Sequence, residues 1–134
     1  MGFPRLDILP AAQRRLWDEL GEVPHQFTLY GGTALALHLG HRESIDFDFF
    51  SREPLAPMQL QQRLNLAKNA EVLQAEPNTF TLQVLRGGPV KVSFFGDLDL
   101  GKIESPLHAE PPGLRIAALA DLAATKFKVI AQQP

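Results

Sequence analysis

The stretch Tyr30 to Phe50, YGGTALALHLGHRESIDFDFF, leaves this chain few folds to choose from. Phe27 to Tyr30 reads as a short strand that runs into the Gly31-Gly32 pair, and Thr33 is expected to cap a helix over Ala34 to Leu39. Gly40 terminates that helix. Ser44 to Phe50 then alternates polar with apolar residues, the signature of a second strand. A turn suited to phosphate therefore comes first and a pair of carboxylates second, an order that suits a nucleotide and a divalent metal.

The rest of the chain supplies the frame. Apolar residues at helical spacing from Pro10 to Glu22 predict an amphipathic helix. MQLQQRLNLAKN predicts another, with Met58, Leu60, Leu64 and Ala67 as its buried side. Glu71 to Ala75, Thr79 to Leu85 and Val90 to Phe95 read as strands, and Arg86-Gly87-Gly88-Pro89 marks a hairpin between the last two. The region from Gly96 to Gly113 reads mostly as loop, with a short strand near Lys102 to Glu104, and Leu114 to Ile116 as a last strand. Leu119 to Gln133 is expected to be helical. Helix, strand, helix, strand and then several strands predict an α+β domain, a small mixed β-sheet flanked by helices.

At 134 residues the chain fits one domain. With 45% hydrophobic and 21% charged residues it is not a disordered composition. The net charge of -2 provides no overall basic field of the kind that marks a general nucleic-acid binder. There is no cysteine, so disulfides and thiol catalysis are excluded, and the scattered histidines offer no zinc spacing. No signal peptide and no long apolar run is apparent, so the expected location is cytoplasmic, without a membrane span.

The glycine pair lets the backbone approach a ligand closely, and the helix behind it points unpaired N–H groups at the same place. A plain strand-to-helix turn, with Thr33 merely capping the helix, is by itself enough to explain those residues. Asp46 and Asp48 are harder to dismiss. Alternation puts both carboxylates on one face of the strand, where like charges repel unless a cation sits between them. Magnesium, which bridges one or two carboxylates to substrate phosphates, is such a cation. In the loop before the strand, Arg42 can grip a phosphate as a planar fork or pair with Asp48 or Glu43, and Ser44 can contact phosphate or cap a turn.

These residues resemble the signature of the polymerase β-like nucleotidyltransferase superfamily, in which a glycine-rich turn is followed by carboxylate, apolar, carboxylate. GGTALALHLGHRESIDFDFF resembles more closely the AbiEii/AbiGii family of abortive-infection toxins, and DLAATKFKV is similar to that family's lysine-bearing helix. The resemblance implies a nucleotidyltransferase-like fold and a nucleoside triphosphate (NTP) held at Gly31, Gly32 and Thr33. It also implies Mg2+ on Asp46 and Asp48, two ions in the active complex, and Lys126 facing the nucleotide as a third catalytic group. Lys126 reads equally well as a surface lysine on a helix that buries its other side. The resemblance further implies transfer of a nucleoside monophosphate to a hydroxyl of RNA, protein or a small molecule, and a cognate antitoxin as partner.

Two departures stand against that pattern. Active superfamily members carry a third carboxylate on a later strand, and the corresponding position here is Ser93. Asp97 has the right parity but lies roughly 13 Å further along an extended strand. The resemblance also implies further helices after the lysine-bearing one, so residues 1–134 read as a core domain without that helical part. An uncovered apolar face on the last helix would favour a partner or a homo-oligomer. Three readings follow: a metal-dependent nucleotidyltransferase, a nucleotide-binding or interaction module without catalysis, and a small structural domain.

Overall fold

The computed structural model describes residues 3–40, 46–99 and 105–123. One seven-stranded mixed sheet organises them. Its strands in chain order are β1 (Thr28–Tyr30), β2 (Phe47–Phe50), β3 (Glu71–Glu76), β4 (Thr79–Leu85), β5 (Pro89–Phe95), β6 (Leu107–Ala109) and β7 (Leu114–Ile116). In space they run β3-β4-β5-β2-β1-β7-β6. β2 lies antiparallel to β1 and parallel to β5, and β7 lies parallel to β1, so strands distant in sequence meet at the centre.

Alternation explains which side faces the core. Phe47 and Phe49 of β2 are fully buried, while Asp48 and Phe50, which alternate with them, are half-buried on the other face. Phe94 gathers the core around it: Phe49 stacks on it at 5.3 Å, and Phe27 meets it edge-on at 5.2 Å. Leu29, Leu82, Val92 and Ile116 continue the same apolar layer. Helix α1 (Ala11–Trp17) covers it with Leu16 and Trp17, both almost completely buried. Burial of this kind, at about 1.5–3 kcal/mol per large apolar side chain, is what holds the layers together.

The hairpin read at Arg86 to Pro89 is present, with Val84 opposite Val90. The first predicted helix is split, because the α-helical geometry of α1 tightens to a 3-10 turn over Asp18–Glu22. Helix α3 (Pro57–Arg63) stops early, where Leu64 adopts an extended backbone. The apolar side therefore reaches the core through Leu60, Leu64 and a 3-10 turn at Asn65–Ala67. Met58 falls off that side and is 73% exposed, contrary to its expected burial. The sequence reading missed β6, and the strand expected near Lys102 lies outside the described residues. The helix expected from Leu119 is present over 119–123, and its remainder lies outside them. β3 forms one edge of the sheet, with all six of its residues exposed and a bulge between Val72 and Gln74.

Candidate active site

The face of the sheet opposite the aromatic core is polar. Pairing aligns Thr81 of β4, Ser93 of β5, Asp48 of β2 and Tyr30 of β1 in one row across four strands. Tyr30 ends β1, and helix α2 (Gly31–Leu39) begins at the very next residue. Gly31 makes that junction with φ +77°, a conformation that L side chains rarely adopt. The helix starts earlier than the sequence suggested. Tyr30 occupies the N-cap position without a side-chain cap, and Thr33 lies inside the first turn, so Thr33 is not the cap.

Thr33 has another job. It is fully buried, and its hydroxyl donates to the Asp46 carbonyl oxygen, fastening the first turn of α2 to the entrance of the acidic strand. Gly40, with φ +75°, closes the helix through its N–H to the Ala36 carbonyl at 2.7 Å. The N–H groups that open α2 have no acceptor within the helix, which leaves a donor set for an anion.

Asp48 lies directly against this turn. A Cβ on Gly31 would stand 2.7 Å from Asp48 Oδ2, so the absence of a side chain is what lets the carboxylate reach the helix entrance. Burial pushes the Asp48 carboxyl above the usual carboxylate range, the neighbouring Asp46 charge pushes the same way, and Lys91 opposes them. An ionised Asp48 is thus held at a cost, in a place where a cation would relieve it. Two carboxylates suit magnesium, which takes the rest of its octahedron from water and phosphate oxygens. Among the described residues there is no cluster of three or more His, Cys, Asp or Glu side chains able to hold a metal.

The register puts Ser93 beside Asp48, at the position where the resemblance expects a third carboxylate. Ser93 is buried, with the Thr81 hydroxyl donating to its Oγ at 3.2 Å. Asp97 sits beyond the end of β5, exposed, with its N–H on the Glu53 carbonyl. Of the residues expected at the site, Gly31, Gly32, Thr33, Asp46 and Asp48 come together at the junction of β1, α2 and β2. Arg42, Ser44 and Lys126 lie outside the described residues.

A family model described as nucleotidyl transferase AbiEii toxin, type IV toxin–antitoxin system, matches residues 15–134. The chain belongs to the AbiEii family. An uncharacterized protein of Aquifex aeolicus (strain VF5) is 32% identical to this AbiEii member over 111 residues, 81% of this chain and 52% of its own length. The crystal structure of a proposed nucleotidyltransferase from H. pylori superposes with a TM-score of 0.60 at 21% identity, over 86% of this chain and 54% of the other. That likeness establishes a nucleotidyltransferase-like α+β fold. The chain spans about half the length of each of these two proteins. No helix among the described residues is long and apolar enough to cross a membrane.

Beside the site lie residues that sequence reasoning did not single out. Tyr30 stacks on Phe50 at 4.8 Å, and both line a cleft of about 440 Å³ together with Arg52, Arg115 and Asp121. Burial raises the Tyr30 hydroxyl pKa, Asp121 adds to the shift, and Arg52 opposes it. The shared parity of Thr28, Tyr30, Asp48 and Phe50 was a signal for half of this wall. Arg115 and Asp121 arrive only through tertiary pairing.

Proposed function

We propose that this chain forms the catalytic core of a metal-dependent nucleotidyltransferase that acts as the toxin of a type IV toxin–antitoxin pair in the cytoplasm. The contact of Asp48 with the Gly31 turn carries this reading, because it sets a carboxylate against a helix entrance suited to phosphate. The α2 N–H groups from Gly31 to Thr33 would hold the triphosphate of an NTP, and Asp46 and Asp48 would hold magnesium. When bound, magnesium neutralises the triphosphate and polarises its α-phosphorus. Thr33 fixes the spacing between phosphate turn and carboxylates through the Asp46 backbone. A hydroxyl of the acceptor then forms the new bond to the α-phosphorus as the bond to pyrophosphate breaks, and one proton is released. Arg42 and Ser44 are further phosphate-binding candidates by residue type and position, and Lys126 is a catalytic candidate by family resemblance.

The Thr81–Ser93 hydroxyl pair favours a second reading, a domain that binds nucleotide without transferring it. Serine cannot assist deprotonation of the acceptor as a third carboxylate would.

The test is the thermal midpoint with each ribonucleoside triphosphate, with and without magnesium, followed by pyrophosphate release. Saturation at about 100 times the dissociation constant adds about 2.7 kcal/mol, a shift of several degrees. The rise is expected to need both magnesium and the carboxylates, and to vanish in Asp46→Asn/Asp48→Asn. That double variant should itself be folded and no less stable at neutral pH, since it relieves a buried charge. Pyrophosphate release separates the two readings, and a nucleotide response unchanged in the double variant would sink both.

A further inference from the structure

The outer edge of the sheet offers a place for one more strand. β3 pairs with β4 on one side, and as the outermost strand it has no neighbour on the other among the described residues. Its outward N–H and C=O groups are therefore open to a further strand. A segment added there would gain main-chain hydrogen bonds, and side chains would decide which segment is accepted.

Register assigns the side chains of β3 to the two faces. Glu71, Gln74 and Glu76 stand opposite Gln83, Thr81 and Thr79 of β4, so all three lie on the polar face. Val72 and Ala75 stand opposite Leu82 and Phe80, on the face of the aromatic core. Leu73 is the extra residue of the bulge, and it brings two glutamates an odd number of positions apart onto one face. Gln74 Nε2 donates to the Glu76 carboxylate between them. Both glutamates are exposed, and neither forms an ion pair among the described residues. These charges disfavour a second copy, which would bring glutamate against glutamate and a bulge against a bulge. A regular strand with basic ends meets neither obstacle. β4 is such a regular strand, and it pairs across the bulge with an unbroken run from Thr79 to Gln83.

We infer that β3 is a docking edge for an extended, basic segment of another protein. Lysine or arginine lies opposite Glu71 and Glu76, spaced as Gln83 and Thr79 are on β4. An uncharged polar residue lies between them opposite Gln74, and apolar residues at the alternate positions extend the layer of Val72 and Ala75. The pattern reads the same in both directions, so it fits an added strand of either orientation. Charge complementarity carries the choice of partner, and the inference does not depend on the transferase reading.

Fluorescence anisotropy tests it with a peptide capped at both ends that reads lysine, valine, threonine, valine, lysine. The protein is expected to bind this peptide about 10-fold more tightly than the same peptide with glutamate at both ends. A version N-methylated along its backbone, which keeps the charges but cannot pair as a strand, should bind about 10-fold more weakly than the parent. Glu71→Lys/Glu76→Lys should invert the first preference and take the glutamate peptide over the lysine one. Both positions are exposed, so this variant leaves the core intact. Failure to bind the lysine peptide, equal binding of the two charge forms, or a preference that survives the reversal overturns the inference. So does a methylated peptide that binds as tightly as its parent, because the contact is then charge alone. Sedimentation velocity covers the remaining occupant: a dimer at neutral pH that the lysine peptide does not dissociate assigns the edge to a second copy and overturns the inference as well.

Discussion

Gly31 shows how much of the site rests on one missing side chain. Its left-handed backbone costs an L residue roughly 1–2 kcal/mol, and the added methyl would meet the free end of Asp48. The carboxylate, being the flexible partner, is the one that moves. Gly31→Ala is therefore expected to lower the thermal midpoint by roughly 3–8 °C and to weaken magnesium-dependent nucleotide binding by more than that stability loss explains. Calorimetry of both quantities on one sample checks it, and unchanged nucleotide affinity would refute the cradle. The glycine itself was legible in the sequence, as was the face of the strand that Asp48 takes, because both follow from local backbone rules. What Thr33 does was not legible. Whether a threonine caps a helix or lies within its first turn depends on where the helix begins, and Gly31 moved that point to the residue after β1.

At the scale of elements, the pieces are joined by a small number of side chains reaching across the chain. Arg86, in the turn of the β4–β5 hairpin, clasps Glu19 with both its Nε and an Nη at 2.6 and 2.7 Å, tying the hairpin to the turn that follows α1. The hydrogen bonds from Arg86 hold the Glu19 carboxyl below the usual carboxylate range. A lowered folded pKa means stability that is present above the unfolded value of about 4.3 and is lost as pH falls through the lower folded value. Both groups are partly exposed, so the contribution is about 0.2–1 kcal/mol. Urea titrations of wild type and Arg86→Ala should differ by that amount at pH 7, with the gap closing as Glu19 is protonated in acid. A constant gap would show that Arg86 acts through packing instead. The sequence announced β4, β5 and their hairpin plainly, since alternation and turn glycines are adjacent in the chain. It was silent on β6, whose three residues pair with β7 and carry no alternation, on the premature end of α3 and on the exposure of Met58. It was equally silent on Arg115, which reaches the polar face only because β7 lies parallel to β1.

For the molecule as a whole, the sheet order gathers chemistry at the middle and leaves a weakness at the margin. β2, β1 and their neighbours meet around Asp48, far from the outermost strand β3. That strand carries Val72 and Leu73, each more than 40% exposed, between Glu71 and Glu76 at its two ends. If two copies met antiparallel along this edge, each Glu71 would face the other's Glu76, and ionised carboxylates placed opposite one another repel. The bulge at Val72 adds a geometric mismatch to that repulsion. Light scattering of a concentrated sample at neutral pH should therefore stay flat, climb in Glu71→Gln/Glu76→Gln, which removes the first guard and leaves the second, and stay flat again once Leu73→Lys is added. For anyone keeping this protein in a tube, the strand furthest from its chemistry decides its shelf life.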